Sequence, residues 1–362
     1  MRHRRSLVYL SEILAMMLIS CSPAYVLRAG WEEARILADR RDIQEVVEDP
    51  ATPAEVRQKL SLVREVRVFA ERRLGLDAGG SFRSFTATDR DTLVMVVSAA
   101  PEFELRWKTW WFPIVGRLPY KGFFNHDAAR REAERLAAQG YDTNVRPSAA
   151  FSTLGWFPDP VLTPALRGDE LSIAETVIHE ITHTTYFPRG QAQFNESFAN
   201  FVGHRGAIEF FCEARADPEQ CGEAEDRWHD ARVFARFFGA IREPLGRLYA
   251  SRLPEADMRR MKREIIENAV ASYDAQVAAD LRSGRYGKLD ARGIDNAWLL
   301  SRLLYYERLD DFETLYARYG SVKRAVEVLI DSPETNPWEA LDRLLAGSAV
   351  RTSVDAPTAP GQ

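Results

Sequence analysis

The residues best suited to chemistry lie in the stretch "VIHEITHTTYFPRGQAQFNESFAN", residues 177–200. His179 and His183 are four residues apart, and Glu180 directly follows the first histidine. On an α-helix, residues four apart share a face, so both imidazoles can reach one metal ion. Glu180 lies about 100° further around the helix, where it can reach a water molecule beside that ion. This H-E-x-x-H pattern is typical of zinc metallopeptidases, in which the glutamate is the general base.

A catalytic zinc also needs a third protein ligand and one open position. The segment "FNESFANFVG" predicts a second helix, and Glu196 is its only carboxylate. Ala199 and Gly203 share a face with Glu196, and such small residues allow two helices to approach closely. His204 is the alternative third ligand. We favour Glu196, because two histidines and one glutamate form a known catalytic zinc set and the H-E-x-x-H-x-x-G-x-x-H spacing is absent.

Local signals place both helices around this pattern. Asp169 is suited to cap the first helix, and Ser172 with Glu175 has the spacing of a capping box. An apolar stripe then follows at helical spacing, formed by Leu171, Ala174, Ile178 and Ile181. The breaker Pro188-Arg189-Gly190 divides the stretch. We therefore predict site helices at about 169–187 and 191–204. The competing interpretation is an ordinary amphipathic helix whose two histidines bind nothing.

The rest of the chain predicts one α+β domain over residues 21–346, predominantly α-helical, with a small sheet in its N-terminal half. Two helices are predicted between residues 31 and 74. "TLVMVVSAA", "WWFPIVG" and "YDTNV" are typical of strands, and "HDAARREAERLAAQG" is typical of a capped helix. From residue 190 onward almost everything predicts helix. Residues 347–362 have no apolar period, which predicts a disordered tail.

The N-terminus differs from this composition. Three arginines precede an apolar run that is short for a membrane span, which is the order of a secretory signal. Leu18-Ile19-Ser20-Cys21 resembles a bacterial lipobox, although Glu12 interrupts the apolar run. We predict a signal peptide over residues 1–20 and a lipid anchor on Cys21. This would attach the protein to a membrane of the bacterial cell envelope, facing the periplasm, and we favour the outer membrane over the inner one. The alternative is a buried first helix.

The net charge and the cysteines bear on the possible partners and on a possible disulfide. The net charge of −5 provides no basic excess, so nucleic acid is not an expected partner. Apart from Cys21, the chain has Cys212 and Cys221. In an exported protein this pair can form a local disulfide, but two free thiols fit the spacing equally well.

Several blocks together resemble a family of predicted bacterial aminopeptidases of the H-E-x-x-H type, many of which are lipoproteins. These blocks, in order, are "LVREVRVFAERRLGL", "AAPEF", "WWFPIVGRLPYKGFF", "FSTLGWFPDPVL", "HEITH", "FNESFANFVG" and "DNAWLLSRLLYY". Asn195-Glu196-x-Phe-Ala is similar to the motif that carries the third ligand in gluzincin peptidases. The resemblance implies a zincin-like metallopeptidase core and cleavage of peptides at the N-terminus. A cysteine that the family usually has within the WWFPIVGRL block is missing.

We therefore predict a Zn²⁺-dependent peptidase, an aminopeptidase by resemblance, that acts on peptide substrates. His179, His183 and Glu196 would bind the zinc, and Glu180 would be the general base. Tyr305 is a candidate donor to the oxyanion, although such tyrosines usually pack in cores. The backbone of Thr153–Trp156 could pair with an extended peptide, or the segment could be a rigid loop. The rival functions are a metal-stabilised binding or scaffold lipoprotein and a metal-free helical envelope protein.

Overall fold

The computed structural model describes residues 31, 35–88, 94–112, 116–148 and 160–347. Helices dominate these ranges and the strands are short, so the predominantly helical α+β class is confirmed. The predicted signal peptide, Cys21, the tail beyond Gly347 and the predicted peptide-pairing segment at 153–156 lie outside the described residues. Among the helices of the described part, none is both long and apolar enough to cross a membrane.

The described strands form three small sheets. Their bounds are Arg41–Asp42 (β1), Ser84–Thr86 (β2), Val94–Pro101 (β3), Trp110–Phe112 (β4), Gly116–Leu118 (β5), Tyr120–Phe123 (β6), Tyr141–Ser148 (β7) and Val161–Leu162 (β8). β1 pairs antiparallel with β2, which pairs parallel with β8. β3 lies between β6 and β7 and is antiparallel to both, and β4 and β5 form a hairpin.

The helices follow the predicted order, with bounds that differ by a few residues. They are Ile43–Glu48 (α1), Ala54–Arg72 (α2), His126–Ala137 (α3), Glu170–Thr185 (α4), Ala192–Glu209 (α5), Pro218–Ala250 (α6), Glu255–Ser272 (α7), Ala278–Asp280 (α8), Asn296–Tyr306 (α9), Leu309–Tyr319 (α10), Val322–Ile330 (α11) and Pro337–Ala346 (α12). Short π-helical segments continue α5 at Phe210–Ala214 and α7 at Tyr273–Val277.

The β6–β3–β7 sheet is covered on both faces, which explains why β3 is a continuous apolar run. Val97 and Ala99 pack with α3, whereas Ala100 packs with α9. Since directly paired residues of antiparallel strands share a face, Ser98 on β3, Asn144 on β7 and Tyr120 on β6 all face α9. This face of the sheet therefore carries polar side chains beside the apolar Ala100.

Two features were not predicted from the sequence, and a third had been left open. The small β1–β2–β8 sheet joins two strands of two residues and one of three, too short for a period to be visible. "WWFPIVG" contributes to a hairpin rather than to one strand, because β4 and β5 pair with each other. The question left open for the cysteines is answered: Cys212 and Cys221 form a disulfide, which links the π-helical end of α5 to the start of α6.

Candidate active site

The helix that carries both histidines begins as its sequence predicts. Asp169 is the N-cap of α4, and its carboxylate accepts a hydrogen bond of 2.7 Å from the backbone N–H of Ser172. The prediction of a capping box formed by Ser172 and Glu175 is wrong. Ser172 already lies within the helix, and Glu175 points away to contact His204. The side chain of Asp169 therefore supplies the cap alone, while Glu175 is left for a different contact.

A tight turn brings the second helix back against the first. Gly190 adopts a φ of +77°, a backbone conformation that favours glycine, and the side-chain amide of Asn195 donates to the carbonyl of Pro188 over 3.0 Å. At Gly203 the helices touch: a Cβ there would lie 2.9 Å from the carbonyl oxygen of Glu175 and 3.3 Å from the Cβ of His179. The small residues of α5 thus permit the close approach expected for them.

This packing brings three potential metal ligands together. The Nε2 atoms of His179 and His183 are 3.2 Å apart. Glu196 Oε2 lies 3.4 Å from the first and 3.6 Å from the second. His183 and Glu196 are buried, and His179 is partly buried. Within the described ranges, these three residues form a group whose donor atoms can hold one metal ion.

The spacing of the three donor atoms fits a small tetrahedral ion. Zinc–nitrogen and zinc–oxygen bonds of about 2.0–2.1 Å place neighbouring ligand atoms about 3.3–3.4 Å apart in a tetrahedron. Burial would raise the pKa of the Glu196 carboxyl, but the imidazoles of His183 and His179 outweigh this and hold it well below its usual range. No Lys or Arg of the described residues lies within 4 Å of this carboxylate. The group is therefore suited to bind a cation.

His204, the alternative third ligand, is directed elsewhere. Its Nδ1 atom lies 3.0 Å from Glu175 Oε1, and its ring packs against Trp228. The other Glu175 oxygen lies 3.6 Å from the buried guanidinium of Arg227 and 3.9 Å from that of Arg285. His204 is consequently part of an ion-pair network behind the two helices, outside the three-ligand group.

Glu180 and Tyr305 both lie beside the three-ligand group. The ring of Tyr305 stacks on that of His179 with centroids 6.2 Å apart. Burial is the main reason why the pKa of the Tyr305 phenol is raised, and the charges of Glu196 and Glu180 raise it further. Glu180, which is partly buried, therefore lies close enough to act electrostatically on the same phenol. The structure thus brings the predicted ligands His179, His183 and Glu196 together and stacks Tyr305 on His179.

The position of Tyr305 is fixed by the helix that carries Glu196. Side chains of α5 donate to the last carbonyl groups of α9, which have no partner within their own helix. The amide of Asn200 donates to the carbonyl of Tyr305 over 2.9 Å, and the hydroxyl of Ser197 to that of Leu304 over 3.1 Å. Glu196 and Tyr305 are thus held in register by one set of contacts.

Two residues of the site were missed in the sequence. The guanidinium of Arg146 on β7 donates to the Tyr305 hydroxyl over 3.0 Å. Tyr120 on β6 lies opposite Ser98 on the same face of the sheet as Arg146, and burial, together with the charges of Glu196 and Tyr305, raises the pKa of its phenol. The available signal was the alternation of Asp142, Asn144 and Arg146, which gives a polar face to an otherwise covered strand.

Together, fold and site define a predominantly helical α+β protein. In it, two antiparallel helices present a largely buried His-His-Glu group with a glutamate and a tyrosine beside it. The chain belongs to the family described as "Putative aminopeptidase", whose model matches residues 24–337. Comparison with curated proteins and with solved structures returned no match. Family membership supports a peptidase-like function.

Proposed function

We propose that this protein is a zinc-dependent aminopeptidase with a zincin-like core. The observation that carries the proposal is the set of three donor atoms, 3.2–3.6 Å apart, from two buried residues and one partly buried residue, with Glu180 next to His179 on α4. Two imidazoles and one carboxylate form a known catalytic zinc set that leaves the fourth position open. The family assignment supports peptide substrates and cleavage at the N-terminus.

In this mechanism His179, His183 and Glu196 would hold the zinc. When bound, zinc would supply Lewis-acid chemistry, lowering the pKa of a water molecule and polarising the scissile carbonyl. Glu180 accepts a proton from the attacking water and delivers it to the leaving amine as the C–N bond breaks. The hydroxyl of Tyr305 donates a hydrogen bond to the oxygen of the scissile carbonyl, on which negative charge develops.

The experiment combines metal analysis with cleavage of matched peptides that have free or blocked N-termini. We expect about one zinc per chain and cleavage of the free peptides only. Glu180→Gln retains the shape of the side chain but removes its basicity, so zinc content should stay unchanged. Turnover should fall by about 10²- to 10⁴-fold, the usual effect of a positioned proton acceptor.

The same substitution at Glu170, an exposed residue in the first turn of α4, is the control and should leave turnover unchanged. A zinc-loaded Glu180→Gln protein with wild-type turnover would refute the mechanism. A zinc-loaded wild type that cleaves no peptide would instead favour the rival, a metal-stabilised binding or scaffold protein. A wild type that binds no zinc would refute both.

We also propose that the protein is anchored by a lipid on Cys21 in the bacterial cell envelope and faces the periplasm. The lipobox-like sequence supports this location, and the Cys212–Cys221 disulfide fits an oxidising compartment. Cys21→Ser should move the protein out of the membrane fraction or leave it as an unprocessed precursor. Recovery of unlipidated, full-length wild type from the cytosol would contradict the proposal.

A further inference from the structure

Helix α9 is joined to strand β7 by a ladder of three polar contacts. The Asp142 carboxylate accepts from the backbone N–H of Asn296, the Asn144 amide donates to the Ser301 hydroxyl, and the Arg146 guanidinium donates to the Tyr305 hydroxyl. Each of these hydrogen bonds is 3.0 Å long. The first two connect secondary-structure elements away from the histidines. The third ends on the ring that stacks on His179.

The ladder is possible because the repeats of the two elements match. Every second residue of a strand lies on one face, at a spacing of about 6.6 Å. Steps of five and four residues along a helix advance by about 7.5 and 6 Å. The strand positions Asp142, Asn144 and Arg146 therefore stay in register with the helix positions. Arg146 reaches Tyr305 because of this register.

The third contact differs from the other two because its donor carries a positive charge. A guanidinium can only donate hydrogen bonds, whereas a phenol can both donate and accept. Because the Tyr305 oxygen accepts from Arg146, its own proton must point elsewhere. The same guanidinium lies 5.3 Å from the centre of the Tyr305 ring, so its positive charge is close to the whole phenol. The cation therefore polarises the phenol and makes its O–H a stronger donor.

We propose that Arg146 is a positioning residue that directs the Tyr305 O–H toward the oxygen of the scissile carbonyl. The inference rests on the proposed function, and it adds a residue that does not contact the substrate carbonyl itself. Only hydrogen bonds change in this step: Arg146 keeps its protons, and Tyr305 donates without transferring its own. The oxyanion that develops as water attacks is then stabilised through Tyr305.

The test compares Tyr305→Phe, Arg146→Met and the double variant, with Ser301→Ala as the matched control in the neighbouring contact of the same ladder. We expect Tyr305→Phe to lower kcat by about 10²-fold, as for loss of one oxyanion donor. Arg146→Met should lower kcat by about tenfold. The double variant should be no slower than Tyr305→Phe, because both changes remove one function. Ser301→Ala should leave kcat within about twofold of wild type.

Three further readouts separate positioning from a structural role. KM should change by less than about threefold, because the contact forms in the transition state. Zinc content should be unchanged in every variant. The affinity for a phosphinic peptide, which mimics the tetrahedral oxyanion, should fall in Arg146→Met and Tyr305→Phe by the same factors as kcat. Arg146→Lys, which retains a cationic donor, should recover part of this loss.

Independent, multiplicative losses in the double variant would overturn the inference, as would equal losses in Arg146→Met and Ser301→Ala. Wild-type kcat in Arg146→Met would also overturn it while leaving the peptidase proposal intact. If wild-type protein neither cleaves peptides nor binds the phosphinic peptide, the proposed function fails, and this inference fails with it.

Discussion

The helix pair α4 and α5 carries two His–Glu groups, and only one of them is suited to a metal. The metal-side group consists of His179, His183 and Glu196. The arginine-side group consists of Glu175, His204 and Arg227. In both groups a carboxylate of one helix faces an imidazole of the other, at 3.4 and 3.6 Å in the first and 3.0 Å in the second.

The difference lies in the charges around each carboxylate. Glu175 has two guanidinium groups within 4 Å, so its negative charge is already compensated. Glu196 has only imidazoles at that distance among the described residues. A divalent cation would be repelled in the arginine-side group and attracted in the metal-side group. Residue types alone do not identify a ligand; the presence or absence of a competing cation does.

The largest change in stability should follow from removing Arg227, whose side chain is only 2% exposed. Arg227→Met removes the guanidinium that binds the N-cap carboxylate of Asp169 at 2.7 Å, and it leaves the mostly buried Glu175 without its nearer guanidinium. We expect the free energy of unfolding to fall by about 2–4 kcal/mol, as measured by chemical denaturation. Zinc stoichiometry should not change. Arg285→Met is the control, because its side chain is 45% exposed, and its effect should stay below about 1 kcal/mol. Equal effects of both variants would contradict the comparison.

An intermediate loss of stability is expected on substitution of Gly203, which packs against one residue of each group. Ala at this position would place its Cβ 2.9 Å from the Glu175 carbonyl and 3.3 Å from the His179 Cβ. The helices must then separate, which should cost about 2 kcal/mol of stability and weaken zinc binding. Gly246→Ala is the control, because nothing lies within 4 Å of the added Cβ in α6. That change should stabilise the protein by up to about 1 kcal/mol, since alanine favours helix. Unchanged zinc affinity in Gly203→Ala would contradict this account.

The smallest expected effect is a change in the stability of the protein at acid pH. Burial would raise the pKa of Glu175, but His204 and the nearby arginines outweigh it and lower that pKa. A carboxyl whose pKa is lowered on folding contributes stability above its unfolded pKa of about 4, and this contribution is lost as the pH falls through the folded value. Glu175→Gln should therefore flatten the loss of stability below about pH 4. Denaturation curves measured from neutral to acid pH would show this, and a parallel profile would contradict it.

Local chemistry made part of this site predictable from the sequence. The spacing of His179 and His183, the cap at Asp169 and the small residues Ala199 and Gly203 all act within one helix or at one contact between neighbouring helices. Glu196 was preferred over His204 on its residue type and on the resemblance to gluzincins. The structure adds a physical reason, because Glu175 already pairs with His204.

The remaining features depend on contacts between distant parts of the chain. Arg146 meets Tyr305 across 159 positions, and no local pattern contains both residues. The sequence shows polar residues at every second position of β7, which predicts a polar face. It does not show which of the many helices packs on that face. The prediction that Glu175 belongs to a capping box was wrong for the same reason, because Glu175 contacts His204 and Arg227, which lie on other helices. The two-residue strands β1 and β8 are also defined only by their pairing.

The most direct test of the central claim is the zinc content of two matched variants, Glu196→Gln and Glu175→Gln, after equilibration with zinc and removal of the excess. Both substitutions keep the size of the side chain and remove one negative charge from the same helix pair. We expect about one zinc per chain in wild type and in Glu175→Gln. Glu196→Gln should bind zinc at least about 10²-fold more weakly. Loss of zinc from Glu175→Gln with retention in Glu196→Gln would contradict the account.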